Sequence, residues 1–127
     1  LLFKTVAKPD EHWADPQAEQ LLWCYDAYPV GGAMELMKLR DVVEASLPQI
    51  TCPTLVMYST ADPTVTPEGS LMVLDRIAST DKEAVSLTEC GHVMTLDTGW
   101  QGLAERTYRF FADRLPETAQ KDAAEAV

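Results

Sequence analysis

The sequence predicts an α/β layered fold with a parallel sheet, and three observations carry that prediction. The first is the short, β-branched and nearly all-apolar run over 51–59, the pattern of a strand covered on both faces. The second is another strand-like run over 84–88, separated from the first by a helical pattern, an order that favours parallel strands. The third is that each run is followed by a residue able to move a proton. Asp62 lies in Thr60-Ala61-Asp62-Pro63, and His92 lies in Glu89-Cys90-Gly91-His92.

The elements follow in order. Residues 1–15 read as irregular and end in Asp15-Pro16, a helix start with proline at the first helical position. The spacing of Ala18, Leu21, Leu22 and Tyr25 predicts a helix over 16–27, broken by Tyr28-Pro29-Val30-Gly31-Gly32. A second helix is predicted over about 33–45, with Met34, Met37 and Val42 near one face, and Ser46-Leu47-Pro48 ends it. After the first strand, Thr66-Pro67-Glu68 combines a capping hydroxyl, a proline and a first-turn acid. Leu71, Leu74 and Ile77 form the apolar face of the helix that follows, widened by Met72 and Val73. A last helix over about 100–115 carries Leu103, Thr107, Phe110, Phe111 and Leu115 at helical spacing, and 116–127 reads as a flexible acidic tail.

The expected order is therefore α-α-β-α-β-α. Two strands leave an apolar edge unpaired, so the rest of the sheet is expected either from further chain or from another copy, as a homo-oligomer. The start on Leu1, without a methionine, suits a piece of a longer product.

Composition narrows the function. At 127 residues, 46% apolar and 24% charged, the chain is one soluble globular domain's worth of sequence. Its formal charge of −10, with 20 acidic against 10 basic residues and no basic stripe, argues against nucleic acid and anionic membrane surfaces as partners. Part of that acidity belongs to the end of the chain, in Asp113, Glu117, Asp122 and Glu125. Cys24, Cys52 and Cys90 are odd in number and form no C-x-x-C pair, which fits reduced thiols in the cytoplasm and argues against zinc. With two histidines and no acid cluster at ligand spacing, no metal or cofactor is expected. No apolar stretch reaches the roughly 18 residues of a transmembrane segment.

A histidine that takes a proton from a serine hydroxyl needs a carboxylate to fix its tautomer and steady its charge. Both groups must meet at the carboxyl ends of strands, where open α/β sheets bind ligands. Asp62 and His92 each occupy such a loop, 30 positions apart. Alone, Asp62 would read as a turn aspartate and His92 as a loop histidine. Together and in this order they read as a catalytic pair. Asp97 reads first as the cap of the last helix and second as a further partner for the histidine. Cys90 beside His92 suggests a Cys-His nucleophile and ranks low, and His12 reads as a surface residue. Val93 and Met94, next to the histidine, and Met34 on the second helix are the candidate substrate contacts.

The runs Ile50-Thr51-Cys52-Pro53-Thr54-Leu55-Val56-Met57-Tyr58-Ser59-Thr60-Ala61-Asp62-Pro63-Thr64-Val65 and Cys90-Gly91-His92-Val93-Met94-Thr95-Leu96-Asp97 resemble the acid and histidine segments of α/β-hydrolases. The resemblance is strongest to the carboxylesterase and monoacylglycerol-lipase branch. It implies the C-terminal part of such a sheet over 46–115, preceded over 1–45 by cap-derived or connecting helices. It implies a serine hydrolase acting on a small ester or acylglycerol, with Asp62 as the acid and His92 as the base. No G-x-S-x-G occurs, and none of Ser46, Ser59, Ser70, Ser79 and Ser86 has the flanking glycines of a nucleophile elbow. On this reading the chain alone is inactive and the whole protein is the esterase. The alternative is a non-catalytic half-fold that self-associates or binds a partner.

Overall fold

β3 (Thr54–Ser59) and β4 (Lys82–Leu87) form a parallel pair, in register from Thr54↔Lys82 to Ser59↔Leu87. They belong to a computed structural model that describes residues 4–8 and 12–116. The remaining elements are β1 (Thr5–Ala7), β2 (Ala27–Pro29), α1 (Val30–Ser46), α2 (Pro67–Arg76) and α3 (Trp100–Ala112). Single 3-10 turns occupy Ala18–Leu21 and Leu47–Gln49.

The two strands carry helices on opposite faces. Neighbouring strand residues point to opposite sides. Lys82 donates to the Leu74 and Ile77 carbonyls at the end of α2, while the next residue, Glu83, accepts from Arg106 and Arg114 at α3. Leu55 and Met57 share the Glu83 side and border an open pocket of about 390 Å³ also lined by Thr107, Phe110 and Phe111. Arg114 completes that side: it forks onto Asp81, lies 3.6 Å from the centre of the Phe110 ring, and donates to the Phe110 carbonyl. α2 begins where the local chemistry says it should, with the Thr66 hydroxyl accepting from the Gly69 N–H and Pro67 at the first position.

Several expectations fail in the first 46 residues. No helix forms over 16–27; one 3-10 turn stands in its place, and Leu22 is already extended. The Asp15 carboxylate accepts from the Gln17 N–H, a turn that competes with helical bonding. Residues 27–29 are instead taken by an antiparallel ladder with 5–7, in a stretch that reads as irregular from sequence. The second helix, expected from about residue 33, starts at Val30, so Gly31 and Gly32 of Tyr28-Pro29-Val30-Gly31-Gly32 lie in the first turn of α1. Met34 consequently sits early in a helix that buries none of its residues.

Smaller differences concern the strands and the last helix. β3 starts at Thr54 because Pro53 has no N–H to give the ladder. Its residues 54–58 are only half-buried, because among the described residues β3 pairs with β4 alone and its other edge is open. β4 starts two residues earlier than the apolar run suggests, with Lys82, Ala84 and Ser86 exposed. α3 ends at Ala112 rather than 115, and residues 117–127 of the expected acidic tail lie outside the described residues. No described helix is long and apolar enough to cross a membrane.

Candidate active site

Asp62 follows β3 and His92 follows β4, so the parallel pair delivers both to one end of the sheet. The loop after β3 folds on the aspartate itself. Its Oδ1 accepts from the Thr64 N–H at 2.7 Å and the Val65 N–H at 3.0 Å, an arrangement that holds the carboxylate and starts the turn into Thr66. Oδ2 is left for His92, whose Nδ1 lies 2.9 Å away. Asp62's side chain is 5% exposed and His92's is 38%, so the carboxylate is the enclosed partner and the imidazole the accessible one.

Burial pushes the Asp62 carboxyl upward, but the hydrogen bond from His92 and the N–H groups of Val65 and Thr64 outweigh it. The group sits below its ordinary value. An ionised carboxylate can only accept, so Nδ1 carries the proton in this pair and Nε2 of the neutral ring keeps its lone pair. A bare Nε2 on an oriented ring can take a proton from a hydroxyl within hydrogen-bond reach.

Among the residues around this pair, Asp97 departs from the sequence expectation, while His12 and Cys90 keep to theirs. Asp97 is neither a helix cap nor a partner of His92. Gly99, in the left-handed region at φ 83°, occupies the cap position of α3 without a side-chain bond. Asp97 is 1% exposed and accepts four backbone N–H groups, from Ala14, Asp15, Gly91 and Thr98, at 2.6–3.1 Å. Burial raises its carboxyl, and those four donors more than reverse the effect, holding it at about 2. His12 is exposed at its side chain, yet its backbone carbonyl lies against Gly91, so closely that a Cβ there would be 1.7 Å from it. Cys90 is buried and its thiol is pushed up mainly by that burial, the reverse of an activated nucleophile. Its carbonyl accepts from the hydroxyl of Ser59, which is 1% exposed. A serine at a strand end and an aspartate before a helix give no sequence signal of these long-range bonds. Gly91 next to the histidine is the one hint of a close backbone approach.

The other candidates are dispersed. Val93 and Met94 are half-buried in the turn after His92, where the Val93 carbonyl accepts from Leu96 and Asp97. Met34 is 54% exposed on α1. All three thiols are free, and no group of three or more potential metal ligands occurs among the described residues.

The chain as a whole is similar to known proteins. The family model Hydrolase_4, described as Serine aminopeptidase, S33, matches residues 4–99. A thermostable monoacylglycerol lipase of Bacillus sp. (strain H-257) is 34% identical over 98 residues, which are 77% of this chain and 38% of that relative. Among solved structures, one from the metagenome-derived lipolytic enzymes LipS and LipT aligns with a TM-score of 0.66 at 33% identity, over 68% of this chain and 36% of that one. The monoacylglycerol lipase of Paleococcus ferrophilus aligns at 0.56 and 21% identity, over 66% and 33%, a likeness of fold. The chain thus spans well under half the length of each of these relatives.

Proposed function

The chain belongs to the serine aminopeptidase family of lipase- and esterase-type α/β-hydrolases, and from that premise we propose that it supplies the acid and the base of a Ser-His-Asp site that hydrolyses esters, acylglycerols among them. The observation that carries the reading is the contact of His92 Nδ1 with Asp62 Oδ2. His92 Nε2 takes the proton of a serine hydroxyl as that oxygen attacks the ester carbonyl, and Asp62 steadies the imidazolium so formed. The imidazolium then returns the proton to the departing alcohol, leaving an acyl-serine. Water, deprotonated by His92 in turn, releases the acid. No serine of this chain sits in a G-x-S-x-G turn, so the nucleophile comes from the rest of the whole protein, and the chain alone is inactive. Val93, Met94 and Met34 are the residues proposed to meet the acyl chain. The names of the lipolytic relatives favour esters over peptides as substrates.

The test is turnover of p-nitrophenyl esters and monoacylglycerols by the whole protein. His92→Ala should abolish it, and Asp62→Asn should lower kcat by about 10⁴-fold, as the equivalent change does in serine proteases. Near-parental turnover in either variant overturns the assignment. A second reading, a half-fold that pairs with another chain, draws on the open edge of β3. It would be favoured by a native product without a nucleophile serine that is an oligomer in solution.

A further inference from the structure

The two largest fully buried side chains among the described residues are both polar, Asp97 and Ser59, and both grip one peptide unit. The carbonyl of the Cys90–Gly91 peptide accepts from the Ser59 hydroxyl. The N–H of the same peptide donates to Asp97 Oδ2 at 2.6 Å. Each clamp is itself tied elsewhere. Ser59 Oγ accepts from the Ala61 N–H at 3.0 Å, one residue before Asp62. Asp97 accepts from Ala14 at 3.1 Å and from Asp15 at 2.8 Å, in the segment whose His12 carbonyl abuts Gly91.

The arrangement answers a specific mechanical need. Only glycine fits at position 91, because the His12 carbonyl occupies the place a Cβ would take. Glycine is also the least constrained residue, so the link just before His92 would otherwise be the loosest in the loop. A peptide unit is planar, and fixing both its poles fixes the plane. What stays soft in the backbone before the imidazole is then the φ and ψ of Gly91 and the φ of His92.

We propose that Ser59 and Asp97 are positioning residues that clamp the Cys90–Gly91 peptide and thereby hold the His92 ring on Asp62. The inference rests on the reading of Asp62 and His92 as acid and base. Ser59 joins the histidine loop to the acid loop. Asp97 joins it to residues 14 and 15, so the first segment of the chain helps to set the catalytic geometry. Hydrogen bonds to a buried carboxylate are stronger than neutral ones, which suits a part whose task is stiffness. A displacement of the order of 1 Å at the reacting group costs about a hundredfold in rate.

The experiment uses the whole protein and two readouts: steady-state ester hydrolysis, and the NMR resonance of the His92 Nδ1 proton, assigned by its loss in His92→Gln. Asp97→Asn, which offers an amide where four N–H donors converge, should lower kcat roughly 10- to 100-fold with KM within about twofold, and should weaken the Nδ1 resonance through faster exchange. Ser59→Ala should act in the same sense and less strongly. Asp97→Glu, which restores the charge but not the reach, should not restore the rate. A purely structural role would lower the melting temperature and leave kcat per folded molecule and the resonance unchanged, and that result in both Asp97→Asn and Ser59→Ala overturns the inference. Should Asp97→Asn not fold, Ser59→Ala decides by the same two readouts. Asp62→Asn separates the two levels. If it leaves turnover and resonance intact, the acid–base reading falls and the clamp with it. If it removes both while the clamp variants remove neither, only the clamp falls.

Discussion

Between Leu47 and Arg114 the chain is held by its own neighbours: a parallel ladder from Thr54↔Lys82 to Ser59↔Leu87, α2 against both strands, and the Arg114 fork tying the end of α3 to Asp81 and Glu83. Between Lys4 and Ser46 the ladder runs only from Thr5↔Pro29 to Ala7↔Ala27. There α1 buries none of its residues, and Trp23 and Tyr25 are 86% and 78% exposed. Yet this second region reaches the candidate site, because His12 and residues 14–15 are fitted against Gly91 and Asp97. The difference shows that a weakly packed segment can be anchored by a few backbone contacts to the loop that carries His92. Each variant below strains either that anchor or the self-sufficiency of the better packed region.

The largest effect should come from Gly91→Ala. Its Cβ would lie 1.7 Å from the His12 carbonyl oxygen, a backbone atom that cannot rotate aside. The first region must move off the histidine loop, or the loop must move off Asp97. Overpacking at such a point costs about 3 kcal/mol or more. Urea unfolding of the whole protein measures it, and amide exchange at Ala14 and Asp15 should accelerate before exchange in β3 does. Equal protection of both regions in the variant would show that they are not joined at this point.

Acid should loosen the same junction more gently. The Asp97 carboxyl titrates at about 2 in the folded chain, below the ordinary carboxylate value it regains on unfolding. A group depressed in this way contributes stability above its unfolded pKa and loses it as pH falls through the folded one. The contribution is on the order of 2 kcal/mol. It should be complete above about pH 4 and vanish toward pH 2. Asp62 is shifted in the same direction and adds to the trend. Urea midpoints between pH 6 and pH 2 should fall in the parent protein and fall less in Asp97→Asn. Parallel curves would remove Asp97 as the source.

The same division explains what the sequence could show. β3, α2 and β4 announce themselves because their determinants are local: the apolar run at 54–58, the Thr66-Pro67-Glu68 start, and the turns that follow each strand. Asp62 and His92 are legible for the same reason, since a residue just past a parallel strand is placed by that strand. The antiparallel pairing of 5–7 with 27–29 has no such mark, since it joins segments 20 or so residues apart, and the turn of Asp15 onto the Gln17 N–H competes with the helical spacing of Ala18, Leu21, Leu22 and Tyr25. Asp97 and Ser59 were hidden for a related reason. Their partners are backbone groups distant in sequence, which no spacing rule encodes.

The smallest effect, and a measure of how far α2 stands on local chemistry, should come from Thr66→Ala. The Thr66 hydroxyl accepts from the Gly69 N–H at 3.4 Å, a long bond, so its loss should cost about 0.5–1 kcal/mol, toward the lower end for a capping threonine. Neither α1 nor α3 has a side-chain cap, and no single hydroxyl could be removed from either with the same consequence. The cost should appear as fraying of the first turn of α2 in amide exchange. Because Thr64 and Val65 are held by Asp62 rather than by Thr66, the contact of Asp62 with His92 should survive, and ester turnover should change by less than about twofold. A larger fall in turnover would mean that the acid loop is held by the helix that follows it, and that the better packed region is less self-sufficient than its hydrogen bonds imply.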